Sequence, residues 1–223
     1  MEPGFRKSAF SIGVTGLRYN WKGGDDEIIG NAAAVQLGTG YISDNWYVAF
    51  SVDILLGPYE PTRGNQVNVD FSGTGLTLWT GFSAQTMSLR SPEGGYGFAL
   101  GLSYADMIGR SIGKNRQESD DDPTRNAGLI DNYTMRVNNV SLLPALFFSW
   151  LVPSRPRGNT PELLKTRLEG YFLTIGGAMP ILANYSARYT KRPDTESPEP
   201  RQMSHHGDLS GYSIVMTFAA MLG

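Results

Sequence analysis

Cysteine is absent from this chain, and histidine occurs only twice. Without thiols there is no disulfide framework, no thiolate metal site and no Cys nucleophile. Charge is scarce as well, at 18% of residues with a formal net charge of −2. A nucleic-acid partner would favour a basic stripe, which this balance argues against. No apolar run reaches the roughly 18–20 residues of a transmembrane helix. The longest, residues 142–152, is broken by Pro144. The opening residues Met1-Glu2-Pro3-Gly4-Phe5 carry neither the basic head nor the apolar stretch of a leader peptide. An exported protein needs a leader, so the expectation for an exported chain is a mature form. What the sequence does have is glycine, 27 of 223 residues, and aromatic rings, 11%.

The glycines are patterned. In Tyr96-Gly97-Phe98-Ala99-Leu100-Gly101-Leu102-Ser103-Tyr104 every even position is large and apolar, and the odd positions between them are Gly, Ala, Gly and Ser. A period of two sends successive side chains to opposite faces of a strand. One face is therefore greasy and ends in tyrosines, and the other is nearly bare. The same alternation predicts eight strands, at about residues 8–21, 31–43, 46–56, 67–89, 95–108, 133–151, 165–189 and 207–222. No helix or second sheet is available to cover eight greasy faces, so lipid is the expected cover. The expected fold is all-β, an eight-stranded antiparallel up-and-down transmembrane barrel in one domain.

Two further patterns point the same way. First, the connections read as alternately long and short, with Lys22 to Glu27, Gly57 to Gln66, Gly109 to Asn132 and Thr190 to His206 as the long or charged ones. Outer-membrane barrels have short periplasmic turns and long outer loops, which would put both termini in the periplasm. Second, Tyr41, Trp46, Tyr96 and Trp150 fall at the short-turn end of their strands, and Tyr104 and Tyr212 at the other. These six are the expected membrane girdles, because amphipathic rings prefer the headgroup levels. Strand seven conflicts with itself: Leu168 and Phe172 suggest that even positions face out, whereas Leu173, Ile175 and Ile181 suggest odd ones. A bulge near Gly176-Gly177 or a break at Pro180 would switch the phase. Pro144 removes a ladder donor and marks an irregularity in strand six.

On these alternating strands the chain resembles the small eight-stranded outer-membrane barrels of Gram-negative bacteria, the class of the OmpA transmembrane domain and the OmpX and OmpW types. The resemblance spans about residues 8–222, and no motif singles out a subfamily. It implies a bacterial outer-membrane location, with lipid bilayer and lipopolysaccharide as surroundings and another envelope protein as a candidate partner. That class usually ends on an aromatic residue. Here the end is Phe218-Ala219-Ala220-Met221-Leu222-Gly223, with Phe218 as the substitute.

Chemistry-bearing candidates are few. The predicted lumen is lined by small residues such as Gly13, Gly38, Gly40, Gly73, Gly75, Gly97, Ala99 and Gly101, leaving space that Trp79, Gln36, Asp53, Arg167, Glu169 and Tyr171 could fill. Buried charges need partners, so Arg167 is expected to neutralise Asp53 and Glu169. The competing reading is a small cavity for water, a solute or a partner segment. His206, Asp208 and Ser210 would share one face of an extended chain, a weak acid–base–nucleophile candidate, since adjacency along a strand does not give the geometry of a triad. Asp120-Asp121-Asp122 lacks the spaced ligands of a calcium loop. The expectation is a structural or interaction barrel that is not an enzyme and carries no cofactor or metal. A narrow channel or small-solute carrier is the alternative, and a lipid-modifying enzyme comes third. A soluble lipocalin-like barrel would turn the apolar face inward instead.

Overall fold

In a computed structural model the described residues are 6–23, 26–43, 46–61, 69–83, 95–111, 130–151, 168–193 and 199–222. They form one antiparallel sheet closed on itself. The strands are β1 (Arg6–Gly23), β2 (Asp26–Ser43), β3 (Trp46–Pro61), β4 (Val69–Ser83), β5 (Gly95–Ser111), β6 (Ile130–Leu151), β7 (Leu168–Lys191), β8 (Arg201–Asp208) and β9 (Ser210–Leu222). Each of β1 to β7 pairs with its sequence neighbour, and β9 closes the ring between β7 and β1. β8 and β9 are two halves of one wall strand, broken at Leu209. The Leu209 amide still donates to the Ala183 carbonyl at 2.8 Å. The molecule is thus an eight-stranded up-and-down barrel in which nine segments make eight staves.

The side-chain alternation decides which surface is apolar. Phe98, Leu100 and Leu102 stand 72%, 47% and 48% exposed on the outer wall, with Ala99 and Gly101 buried inside. Phe10, Ile12 and Val14 on β1, Val35 and Leu37 on β2, and Leu76 and Leu78 on β4 share that exposure. A wall this apolar is incompatible with water on the outside, and it excludes the lipocalin arrangement. Among the described residues no helix is long and apolar enough to cross a membrane.

The bare inner faces are not empty. A side chain at Gly101 would come within 2.8 Å of the Trp79 ring, and one at Gly97 within 2.7 Å of Phe147. Glycines on β5 are seats for large rings projecting from β4 and β6, which is how a narrow barrel fills its interior. Gly211 is required for a different reason. It sits at φ +134°, just past the break at Leu209, where any Cβ would collide with the Asn20 carbonyl.

Strand seven switches phase at the Pro180 alternative. Val140 pairs with Leu182 but Ser141 with Pro180, so Ile181 is the extra residue of a bulge. Below it Thr174 and Ala178 are buried inside; above it Ala183, Tyr185 and Ala187 are. Pro144 interrupts the pairing with β7 between Leu142–Met179 and Ala145–Gly176 but leaves the register unchanged. A second irregularity, between Leu168 and Gly170 against β9, offsets the start of β7.

The boundaries differ from the sequence reading mostly by extension. β1 and β2 run on through the polar Lys22–Glu27 stretch, with only residues 24–25 between the two strands. The last stave begins at Arg201 instead of residue 207, and residues 84–89 of the expected fourth strand lie outside the described residues. Consecutive strands are separated by residues 24–25, 44–45, 62–68, 84–94, 112–129, 152–167 and 192–200. The expected alternation of long and short connections falls on stretches that lie mostly outside the described residues. The two ends differ in another way: at the end away from the termini, β6, β7 and β8 rise past the last β1–β9 pair, Lys22 with Ser210.

Candidate functional site

The lumen is built as two apolar plugs around a polar waist. The plug farther from the termini contains Tyr19, Trp21, Met107, Tyr133, Met135, Tyr185 and Leu209, with Tyr189 packed against it. Tyr19 stacks on Trp21 at 4.7 Å between ring centroids, and Tyr133 on Tyr189 at 6.0 Å. His205 faces inward too. It stacks on Tyr189, whose Oη shares a hydrogen bond of 2.9 Å with His205 Nε2. The plug nearer the termini contains Trp79, Ala99, Leu143, Ala145, Phe147, Ala178 and Val215.

Between the plugs, short polar side chains satisfy one another, both across neighbouring strands and along one strand. Thr15 Oγ1 and Thr217 Oγ1 lie 2.9 Å apart, Gln36 Nε2 donates to Ser51 Oγ at 3.0 Å, and Ser141 Oγ donates to Asn139 Oδ1 at 2.8 Å. Asp53 sits in this waist. Its Oδ2 accepts a hydrogen bond from Thr77 Oγ1 at 3.1 Å, while its Oδ1 is buried without a partner. The cavity beside it measures about 70 Å³ and is lined by Gln36, Asp53, Thr77 and Trp79 together with members of both plugs. That is room for on the order of five waters and too little for a drug-sized solute. A second cavity of about 20 Å³ lies beyond Gln36 and Trp79, which line both.

Three of the sequence-derived lumen residues, Gln36, Asp53 and Trp79, meet at this cavity. Arg167 and the Glu169 side chain fall outside the described residues, so the expected pairing of Asp53 and Glu169 with Arg167 lies outside them too; among the described residues no cationic side chain lines the cavity, and Thr77 holds Asp53. Tyr171 is a correction: it pairs with outward-facing Trp150 and stacks on exposed Phe218 at 5.7 Å, so it belongs to the outer wall. Phe172, in turn, lines the smaller cavity instead of facing out. Tyr171 shares the odd-outward phase of Ile175, which holds until the bulge at Ile181. The rings that fill the lumen, Tyr19, Trp21, Tyr133, Tyr185 and Phe147, were missed. The available signal was parity, since Phe147 shares its phase with Ser141, Ala145 and Ser149.

Tyr41, Trp46, Tyr96, Tyr104, Trp150 and Tyr212 all stand exposed on the outer wall. Trp46 Nε1 donates to Thr80 Oγ1 at 3.1 Å, a bond made along the wall. His206, Asp208 and Ser210 are exposed as well, on either side of the break at Leu209. Ser210 Oγ donates to the Lys22 carbonyl at 3.4 Å, and among the described residues no hydrogen bond joins the three. A nucleophile without a base in reach is not activated. Asp120, Asp121 and Asp122 lie outside the described residues, and among those described no group of three or more His, Asp or Glu could hold a metal.

Just beyond Tyr104 the outer wall changes character over a single row. Tyr104, Val140 and Leu182 form the last apolar row across β5, β6 and β7; the next is Asp106, Asn138, Asn184 and Asp208. Arg136 closes a forked pair on Asp106, with Nε to Oδ1 at 3.0 Å and Nη2 to Oδ2 at 2.7 Å.

The closed greasy-sided ring defines a class: the fold is that of an outer-membrane β-barrel. No protein-family model matches the sequence and no curated protein matches it. Among solved structures the chain is similar to the outer membrane protein OprG from Pseudomonas aeruginosa, at 11% identity and a TM-score of 0.51, covering 98% of this chain and 97% of that one. It also overlaps a major outer membrane protein from Thermus thermophilus, at 12% identity and a TM-score of 0.45, covering 97% of this chain and 99% of that one.

Proposed function

We propose that this chain is a closed outer-membrane barrel whose role is structural or interactive, with its function carried by its surfaces and not by passage through its lumen. The observation that carries this reading is the lumen: two packed aromatic clusters fill it, and among the described residues cavities of about 70 Å³ and 20 Å³ lie between them, both lined by Gln36 and Trp79. A bacterial outer-membrane location fits the apolar belt and the likeness of the fold to OprG. Both termini belong in the periplasm on this reading, because the opposite end carries the tall, polar-faced β6–β8 sheet suited to the cell exterior. The partners are the bilayer with its lipopolysaccharide, and another envelope protein met at the tall end.

Reconstitution into planar bilayers tests this. The expected record shows no stepwise conductance from the wild-type chain. Regular unitary steps would overturn the closed barrel in favour of a narrow channel or small-solute carrier. An enzyme acting on lipids has no observation in its favour, since Ser210 is engaged with a backbone carbonyl and His206 does not reach it.

A further inference from the structure

The wall above the apolar belt is not uniformly polar. Across β5 to β8 the register stacks three outward rows over Tyr104, Val140 and Leu182. They are Asp106–Asn138–Asn184–Asp208, then Ile108–Arg136–Ser186–His206, then Arg110–Thr134–Arg188–Ser204. Arg110 and Arg188 flank Thr134 in the top row, two strand spacings or about 9.6 Å apart. Arg136 lies one row below, on the strand between them. All three are exposed, and among the described residues neither Arg110 nor Arg188 forms an ion pair.

We propose that this face binds the phosphorylated sugar headgroup of a glycolipid in the surrounding leaflet. The inference rests on the reading of the chain as a membrane-spanning barrel. Position comes first. A lipid whose chains lie along Val140 and Leu182 must set its headgroup on these rows, because they continue the same staves without interruption. Charge comes second. Among the residues of β5 to β8 whose side chains are described, three guanidiniums face two outward carboxylates, and one of those, Asp106, is occupied by Arg136. Arginine forks match phosphate oxygens, and two guanidiniums about 9.6 Å apart can converge on one phosphate between them. Height comes third. Rows two residues apart climb about 5 Å each at the usual strand tilt, so the Arg110–Arg188 row stands about 15 Å above the last apolar row. A glycerophospholipid carries its phosphate close to its chains. A phosphate on a bulky sugar reaches farther, and the intervening Asn138, Asn184 and Ser186 offer the donors and acceptors that sugar hydroxyls need. On the wall of β1, β2 and β9, Arg18 stands between Asn31 and Ile214.

The test uses the full chain in detergent micelles, with native mass spectrometry as the readout. The probes are bisphosphorylated lipid A, the same lipid after phosphatase treatment, and phosphatidylglycerol. Wild type should retain the bisphosphorylated form, and the treated form should bind about tenfold more weakly or worse. R110A/R188A should lose a comparable factor, while R18A stays within about twofold of wild type. Equal binding of the treated lipid, equal binding of phosphatidylglycerol, or an unchanged R110A/R188A variant each overturns the proposal. The treated-lipid arm uses wild-type protein, so it decides even if the double variant fails to fold. Flotation with lipid vesicles reports separately on the barrel reading, so a chain that floats but ignores the phosphate defeats only this inference.

Discussion

The two sides of this barrel are built on different rules. From β1 to β5 the wall is regular: the outer face is apolar through the belt, and the register runs without a shift. From β6 to β8 the wall is taller, carries two register shifts between β6 and β7, and turns polar on its outer face above Tyr104 and Leu182. The regular side is dictated by lipid. The tall side stands partly in water, where a strand needs no greasy face, and its inner surface supplies Tyr133, Tyr185 and Tyr189 to the plug. The difference teaches that insertion and closure are separate tasks. Alternation inserts the barrel, and aromatic rings on glycine seats close it.

Substitutions can sharpen this contrast. The largest expected effect is at the closure. Trp79→Ala should destabilise by about 3–5 kcal/mol in urea titrations of the vesicle-inserted protein, the usual cost of deleting a large buried ring. It should also merge the two cavities that Trp79 now separates, so bilayer recordings should show leak current absent from wild type. Next comes the regular wall. Leu100→Arg sets a charge at the middle of the lipid face and should cost about 2–4 kcal/mol in the same titration. The same change at Ser204, on the outward face of β8, should leave insertion untouched; equal losses at the two sites would break the comparison.

How much of this was legible in the sequence follows the same division. β5 could be read directly, because Gly97, Ala99 and Gly101 alternate with Phe98, Leu100 and Leu102 inside a bilayer that punishes any error in phase. β8 could not. Gln202, Ser204, His206 and Asp208 face water, so nothing apolar marks the strand. The ends of β1 and β2 were hidden for the same reason, with Lys22, Gly23, Asp26 and Glu27 resembling a loop. Tyr171 was misplaced because apolar Leu168 and Phe172 argue for the opposite phase, and only the paired strands show that Phe172 turns inward. The cavity residues Gln36, Asp53 and Trp79 were visible as inward positions, but their small enclosure was not, because glycine seats look like empty space until the neighbouring ring is known.

Smaller effects probe the tall side alone. Tyr189→Phe removes the hydrogen bond to His205 while keeping both ring stacks, and should lower stability by about 0.5–1.5 kcal/mol. The smallest effect concerns Asp106. It forms an exposed forked pair with Arg136, so Asp106→Asn should lower stability by about 1 kcal/mol or less, measured by urea midpoints at neutral pH.

The orientation of the tryptophans tests the central claim most directly. The chain has four, with Trp46 and Trp150 on the outer wall at 40% and 46% exposure and Trp21 and Trp79 inside at 5% and 8%. In vesicles of chain-brominated lipid, single-tryptophan variants retaining Trp46 or Trp150 should be quenched strongly, and those retaining Trp21 or Trp79 should keep their emission. Quenching of the inner pair with the outer pair spared would contradict the fold's apolar exterior outright.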